Sequence, residues 1–379
     1  MAVPTRPPRD ERLDVLRGLM QVFIFVSHAQ LSVFAWGIHA SWGFSDSSEQ
    51  FMLLSGITLG SVFTLKRMRD GFAAAWRDMR ARAIRLWRTH LLVFAAFGAM
   101  VLIADRSGFA AGDAEVMGWT WLTENPWLGV PAGAAMLYQP SYMDILPVFV
   151  WCMLLLPGFV WLLERFGDAA LALPASLYAA TQVFGLAIPG LGPWPLGFNP
   201  LAWQILFMLG IWLGRRALLG AAPLPGPSLR GVSARSALTA AVLAVFALGI
   251  WLRAGQMGLL PPAPASLAAW SEKPDLAWLR LAHALGLAWI VAAVLPRGAW
   301  VQTLAARLLA AIGRQSLNVF CLGLFLSWMV HAALRFWPGQ APALDLLLVP
   351  AGVALLSAWA AWLGRGRASL YRLATARSQ

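Results

Sequence analysis

Three ionisable residues that could carry out chemistry lie in one apolar stretch near the start of the chain. Asp14, Arg17 and His28 all belong to the segment RLDVLRGLMQVFIFVSHAQLSVF. Ionisable side chains are costly inside a bilayer, so they usually face a bundle interior and serve a function. Asp14 and Arg17 share a helix face, and His28 follows Arg17 by 11 residues, or roughly 16 Å of helix. The spacing predicts a titratable imidazole inside the membrane beyond a charged pair. The alternative is an interfacial ion pair with a core histidine.

The composition indicates an integral membrane protein. Of the 379 residues, 59% are hydrophobic and 12% are charged, far from the balance of a soluble domain. Apolar segments of about 17–24 residues, the length that a bilayer needs, predict ten transmembrane helices and an all-α, multi-pass fold. They are expected at residues 13–35, 49–65, 84–104, 143–163, 170–188, 199–219, 234–253, 279–296, 314–334 and 343–363. We expect a single membrane domain over residues 1–379, with tails at 1–12 and 364–379.

The placement of basic residues sets the expected orientation of these helices. With ten spans and the N-terminus inside, 24 of the 29 Lys and Arg residues fall in cytoplasmic segments. Cytoplasmic loops of membrane proteins carry such an excess of positive charge, so both termini are predicted to be cytoplasmic. The same placement accounts for the net charge of +12, and we do not expect nucleic acid as a partner.

A second candidate site lies in the predicted cytoplasmic segment WRDMRARAIRLWRTH, residues 76–90. Arg82, Arg85 and Arg88 recur at three-residue intervals where the third span begins, so they share one helix face. Guanidinium groups bind phosphate through paired hydrogen bonds, and these side chains could hold the phosphates of a coenzyme. The alternative is that they only supply the positive charge of a cytoplasmic loop.

The segment GFSDSSEQFMLLSG, residues 43–56, places two carboxylates at the outer mouth of the second span. Asp46 and Glu49 could belong to a site there. The alternative is a helix cap, in which Ser47 or Ser48 caps the helix and acidic residues occupy its first turn.

Two further motifs place polar side chains at the ends of predicted spans. YQPSYMDILP, residues 138–147, carries Tyr142 and Asp144, whose aromatic and carboxylate groups suit sugar binding. An aromatic belt with a helix cap is the alternative. IGRQSLNVF, residues 312–320, carries Asn318 at the polar start of span nine, where hydrogen bonding between helices would also explain it. The chain has no phosphate-binding loop, dinucleotide-binding motif or metal-ligand spacing, so we expect no metal and no permanently bound cofactor.

Taken together, these motifs resemble the OpgC family of periplasmic glucan synthesis, within the acyltransferase-3 superfamily of membrane O-acyltransferases. RDERLDVLRG with His28 matches the first-span signature of the family, and FSDSSEQFMLLSG with Glu49 is similar to the second. Arg82 and Arg85 fall on its R-x-x-R position, while QPSYMDILP and IGRQSLNVF are similar to its fourth-span and late-span motifs. Many superfamily members carry a histidine where this chain has Gly323, and OpgC-type chains commonly lack it.

The resemblance implies O-acyl transfer at the bacterial inner membrane. An acyl group, typically succinyl, would pass from cytoplasmic acyl-coenzyme A (succinyl-CoA or acetyl-CoA) to hydroxyls of a periplasmic glucan, with membrane lipid and glucan synthesis proteins as further partners. His28 would either accept the acyl group or deprotonate the sugar hydroxyl. The catalytic residues are predicted to be His28, Asp14, Arg17 and Glu49. The predicted coenzyme ligands are Arg82, Arg85 and Arg88. The predicted acceptor ligands are Asp46, Tyr142, Asp144 and Asn318.

Physical arguments alone leave other functions open. Ten spans with a buried histidine and carboxylates equally suit a proton-coupled transporter or flippase of a glycan or lipid-linked intermediate. No inverted repeat is visible in the sequence to favour transport. A non-catalytic partner of a glucan synthase is a third alternative, and acetyl transfer is an alternative to succinyl transfer.

Overall fold

The computed structural model describes residues 10–230 and 233–376, and these residues form an all-helical protein. The α-helices, in chain order, are α1 (Glu11–His28), α2 (Ser47–Asp70), α3 (Phe72–Arg106), α4 (Asp113–Val116), α5 (Thr120–Glu124), α6 (Pro126–Ala134), α7 (Ile145–Phe166), α8 (Ala172–Phe184), α9 (Pro200–Leu218), α10 (Ala234–Gln256), α11 (Ala265–Ala269), α12 (Trp278–Val294), α13 (Leu304–Arg314), α14 (Ser316–Phe336) and α15 (Ala341–Ala376). The all-α prediction is confirmed. The predicted tails extend to residues 1–9 and 377–379, which lie outside the described residues.

The long helices coincide with the predicted spans. Ten of the described helices have 13 or more residues, and each overlaps one predicted span. Five stretches are long and apolar enough to cross a membrane: Phe72–Arg106, Ile145–Phe184, Ala234–Gln256, Ser316–Phe336 and Pro338–Arg365. These stretches indicate a multi-pass membrane protein, while the count of ten spans and the orientation of the termini stay predictions.

The described helices group into two compact units. Unit 1 is Gly43–Ala293 and contains α2 to α12. Among the described residues, unit 2 combines residues 10–42 with residues 294–376, and contains α1 together with α13, α14 and α15. The first helix therefore packs with the last three helices of the chain, although more than 250 residues separate them in sequence.

Within unit 1, α2 and α9 pack closely through small residues. A Cβ atom added at Gly56 or Gly60 of α2 would meet the backbone of α9. Ser61 Oγ donates to the carbonyl oxygen of Gly214 at 2.8 Å. Small residues let helices approach closely in a membrane, where van der Waals packing and hydrogen bonds drive association. This contact fixes α2, which carries the two carboxylates at its start, against α9.

Within unit 2, α1 packs against α13 through a similar pair of glycines. A Cβ atom at Gly18 would strike the Leu309 backbone, and one at Gly313 would strike the Asp14 backbone. Helices α14 and α15 complete an apolar core with α1. Its buried members include Phe25, Val319 and Leu356. The close approach of α1 and α13 positions the charged start of α1 beside the start of α14.

The first helix is shorter than the predicted span 13–35, which was wrong at its C-terminal end. α1 ends at His28, and a 3₁₀ turn begins at Val33. Asp345 Oδ2 accepts a hydrogen bond from the Val33 backbone N–H at 2.7 Å, and the Ser32 side chain caps the turn. Because these side chains satisfy backbone N–H groups outside an α-helix, the α-helix can end at His28 although the residues that follow are apolar.

Candidate functional site

The charged start of α1 contacts the late motif within unit 2. Arg17 Nη2 donates to Ser316 Oγ at 2.9 Å, across 299 residues of sequence. Asp14 is 4% exposed, with its backbone against Gly313. Asn318 lies half-buried on the first turn of α14. The RLDVLRG and IGRQSLNVF motifs are therefore one cluster in space, and the hydrogen bonding between helices that we considered for the late motif is present at Ser316.

His28 is the last residue of α1, half-buried. Its Nδ1 lies 2.8 Å from the carbonyl oxygen of Ile24. A carbonyl oxygen can only accept, so Nδ1 carries the proton of the neutral ring and Nε2 carries the lone pair. The helix places His28 about 21 Å along its axis from Asp14. The predicted catalytic residues of α1 therefore spread along one helix instead of converging at a point.

Gln21 is a polar residue of α1 that we did not select from the sequence. Asp14, Gln21 and His28 recur at seven-residue intervals, which places them on one helix face. Gln21 is 2% exposed, and its Nε2 has no hydrogen-bond partner among the described residues. A heptad spacing of polar residues within an apolar span was the signal that could have identified it.

In unit 1, Asp46 and Glu49 belong to a four-charge cluster with Lys273 and Arg280. Lys273 Nζ lies 2.7 Å from Asp46 Oδ2, and Arg280 Nη1 lies 2.6 Å from Glu49 Oε1. Arg280 Nη1 is also 3.6 Å from Asp46 Oδ2. Glu49 is fully buried, at 0% exposure. From the sequence, we used Lys273 and Arg280 only to predict the orientation of the helices, because their neighbours in sequence do not indicate a partner more than 220 residues away.

Asp46 and Glu49 also cap α2. Asp46 Oδ1 accepts from the backbone N–H of Ser48 at 2.7 Å, and Glu49 Oε2 accepts from that of Asp46 at 2.8 Å. This reciprocal arrangement is a capping box. The helix-cap alternative is confirmed, with Asp46 as the N-cap instead of Ser47 or Ser48. Both carboxylate oxygens of Glu49 are engaged, one by the cap and one by Arg280.

The charges within this cluster keep Asp46 and Lys273 ionised. Burial acts to raise the pKa of Asp46, but the positive charges of Lys273 and Arg280 outweigh it and hold that pKa well below its ordinary value. Burial likewise acts to lower the pKa of Lys273, and the carboxylates of Asp46 and Glu49 outweigh it and raise that pKa. Asp46 and Lys273 therefore form a stable ion pair at neutral pH.

The three predicted phosphate ligands on α3 have different surroundings. Arg82 Nε donates to Asp78 Oδ2 at 2.9 Å, and Lys66 Nζ lies 3.4 Å from the other oxygen of that carboxylate. Arg85 and Arg88 are exposed. A partly exposed ion pair contributes little free energy, so a phosphate group can compete with Asp78 for Arg82.

Tyr142 and Asp144 lie just before α7. Tyr142 has a φ of 74°, in the left-handed region where residues other than glycine are uncommon, and its ring centroid is 5.1 Å from that of Phe97. Asp144 is the N-cap residue of α7, but its side chain makes no capping hydrogen bond. Its carboxylate lies against Gly197, and its charge helps to raise the pKa of Lys273. Asp144 is therefore part of the electrostatic surroundings of the four-charge cluster.

A protein-family match covers nearly the whole chain. The model of the family described as OpgC protein matches residues 9–368. No curated protein and no solved structure matches the chain. The matched region contains the motifs of α1, α2, α3, α7 and α14 described above. The chain therefore belongs to the OpgC protein family.

Proposed function

We propose that this protein is a membrane O-acyltransferase that moves a succinyl group from cytoplasmic acyl-coenzyme A to hydroxyls of a periplasmic glucan. Membership of the OpgC family suggests acyltransferase activity of the glucan succinyltransferase type. The five long apolar stretches fit a reaction at the membrane. The observation that carries the proposal is the hydrogen bond from His28 Nδ1 to the Ile24 carbonyl oxygen, because it leaves a lone pair on Nε2.

In the proposed reaction, His28 acts as a general base. Its Nε2 takes the proton of a sugar hydroxyl while that oxygen attacks the carbonyl carbon of the thioester. The carbon–oxygen bond of the ester forms and the carbon–sulfur bond breaks. The coenzyme leaves as a thiolate and recovers the proton from the imidazolium. Histidine suits this exchange because it gains and loses a proton near neutral pH.

The remaining residues bind and position the substrates in this proposal. Arg82, Arg85 and Arg88 bind the phosphates of the donor through charge-assisted hydrogen bonds. Arg17, bonded to Ser316 at 2.9 Å, holds the inner part of α1 against α14 and so fixes the helix that carries His28. Asp14 supports the same contact.

The acceptor binds, in this proposal, to carboxylate and phenol groups of unit 1. Asp46 and Asp144 offer acceptors for sugar hydroxyls, and Tyr142 offers an aromatic ring with a hydroxyl. Glu49, bonded to Arg280, keeps the start of α2 in place beneath them.

Transfer by the pure protein tests the function. The full chain, purified in detergent, is incubated with radiolabelled succinyl-CoA and a soluble glucan, and the label in the glucan is counted. The same assay with acetyl-CoA distinguishes the two acyl groups. We expect label in the glucan with the wild type and none with His28→Ala. No transfer from either donor would overturn the proposal, and proton-driven glycan uptake by proteoliposomes would favour a transporter instead.

The orientation is tested separately with single cysteine tags. Ser107, after α3, and Ala221, after α9, are both exposed. We expect an impermeant thiol reagent added from the periplasm to label Ser107→Cys but not Ala221→Cys. The opposite labelling pattern would invert the proposed orientation.

A further inference from the structure

Two glutamine side chains in unit 2 are buried without their full complement of hydrogen bonds. Gln21 is 2% exposed and Gln315 is 6% exposed. The Nε2 of Gln21 and the Oε1 of Gln315 find no partner among the described residues. Native proteins pair nearly all buried polar atoms, because an unpaired one is costly. One unpaired donor and one unpaired acceptor therefore point to a polar group that arrives from outside the chain.

These two side chains lie at successive levels along α1. Gln315 immediately precedes Ser316, whose hydroxyl is bonded to Arg17. Gln21 is one helical turn beyond Arg17, and His28 is two turns, about 10 Å, beyond Gln21. The order along the helix is therefore Gln315, Gln21 and then His28. An extended ligand following α1 toward His28 would meet an acceptor first and a donor second.

The chemistry of the two atoms selects a ligand that carries both a carbonyl group and an N–H group. An amide satisfies both, because its oxygen accepts and its nitrogen donates. The neighbours of Gln21 on α1 include the buried apolar residues Met20, Ile24 and Phe25. Apolar surroundings with few polar groups suit a thin chain of methylene and amide groups better than a hydroxyl-covered sugar ring.

We propose that Gln21 and Gln315 bind amide groups in the pantetheine arm of the acyl donor. Gln21 Nε2 donates to an amide carbonyl oxygen, and Gln315 Oε1 accepts from an amide N–H. The arm ends in the thioester sulfur, and the order of residues along α1 leads that end toward His28. This inference rests on the proposed function, because it takes acyl-coenzyme A as the donor.

The test separates the amide groups of the donor from its phosphates. Calorimetry on the full chain, purified in detergent, uses coenzyme A, pantetheine, which lacks the nucleotide phosphates, and adenosine bisphosphate, which lacks the amides. The variants are Gln21→Met and Gln315→Met, which keep the length of the side chain and remove the amide. The control is Gln204→Met in unit 1, because Gln204 is 3% exposed but donates to the Pro174 carbonyl oxygen at 2.9 Å.

We expect Gln21→Met and Gln315→Met to lose affinity only for the probes that contain the pantetheine arm. Binding of coenzyme A and pantetheine should weaken by about 5- to 150-fold, since a ligand amide is left unpaired in a buried site. Binding of adenosine bisphosphate should stay unchanged. Gln204→Met should bind all three probes as the wild type does.

The unfolding temperature without ligand distinguishes a binding role of the two glutamines from a structural role, because the two roles predict opposite changes. Gln21→Met and Gln315→Met should unfold at the wild-type temperature or above it, because each removes an unpaired buried polar atom. Gln204→Met should unfold at a lower temperature, because it leaves the Pro174 carbonyl oxygen unpaired. Gln21→Leu repeats the measurement with a different shape, in case methionine packs poorly.

Three other results would refute either the binding role of the two glutamines or the proposed donor. Unchanged pantetheine affinity in both unit 2 variants would refute the inference and leave the proposed function standing. Equal loss of affinity for all three probes, together with a lower unfolding temperature, would assign Gln21 and Gln315 a structural role and also refute it. A wild-type protein that binds neither coenzyme A nor pantetheine would refute the proposed donor itself.

Discussion

Removing Arg280 is expected to cause a large loss of stability. Arg280 donates to the fully buried Glu49 at 2.6 Å and lies 3.6 Å from Asp46. The variant Arg280→Met keeps an apolar stem of similar length and removes the charge. Glu49 would then be buried next to another carboxylate with no cation in contact, since Lys273 is bonded to Asp46.

The magnitude follows from the burial of the remaining partner. Breaking a buried ion pair by removing one partner costs up to about 3–5 kcal/mol of unfolding free energy when the remaining charge stays ionised in a low-dielectric environment, and less when the buried carboxyl takes up a proton. Replacing both partners is far less costly. In the double variant Glu49→Gln with Arg280→Met, the new amide oxygen can still accept from the Asp46 backbone N–H and keep the cap of α2. We expect the double variant to recover at least about 2 kcal/mol of that loss.

The assay is equilibrium unfolding of the purified protein in mixed detergent micelles, followed by tryptophan fluorescence. The matched control is Arg216→Met, because Arg216 pairs with Asp168 at 3.4 Å, where Asp168 is 66% exposed. An exposed pair of this kind contributes about 0–1 kcal/mol. Arg280→Met should therefore be clearly less stable than Arg216→Met.

Two results would refute this reasoning. A loss below about 1 kcal/mol for Arg280→Met would mean that Glu49 is hydrated or neutral without its partner. A double variant no more stable than Arg280→Met would mean that the arginine stabilises the fold by packing, and not by compensating the charge of Glu49.

Three further predictions concern catalysis, donor binding and pH. His28→Ala and His28→Gln should both abolish acylation of the glucan while the protein inserts normally into the membrane, because neither side chain takes up a proton. The acyl content of the periplasmic glucan measures this. A normal acyl content in either variant would exclude a catalytic base at this position. The double variant Arg82→Lys with Arg85→Lys should weaken coenzyme A binding at least about tenfold by calorimetry, because lysine lacks the fork geometry of guanidinium. The control Arg77→Lys should have no effect. Equal affinities of the double variant and the wild type would mean that Arg82 and Arg85 only supply the positive charge of a cytoplasmic loop. The carboxylate of Asp46, with its lowered pKa, should contribute stability above about pH 4 and lose that contribution as the pH falls further. The gap in unfolding free energy between the wild type and Asp46→Asn should therefore close in acid, and a gap that is constant with pH would contradict the ion pairing.

Much of the fold could be predicted because a bilayer imposes a local rule. A spanning helix needs a continuous apolar run, and the length of that run is visible in the sequence. Each of the ten predicted spans accordingly overlaps a helix of 13 or more residues. The end of α1 was predicted incorrectly because it depends on Asp345, which satisfies a backbone N–H from a distant helix. An apolar run contains no information about such a partner.

The candidate site was predictable in its residue types and not in its contacts. Asp14, Arg17 and His28 stand out in the sequence because ionisable groups are rare in apolar spans. The same rule, applied to amides, would have selected Gln21. Lys273, however, has no local feature that separates it from other cations between the predicted spans, and Arg280, at the edge of the span predicted at 279–296, was counted only toward topology.

The sequence by itself determined the class of this protein, the positions of its long helices and the motifs that place it in the OpgC family. Only the tertiary structure decided which charges and hydrogen-bonding groups meet. Arg17 binds Ser316 across 299 residues, and Arg280 binds Glu49 across 231. The physical reason is that hydropathy and helix periodicity are properties of neighbouring residues, whereas a hydrogen bond or ion pair requires two atoms within about 3 Å of each other. That proximity arises only when the helices have packed.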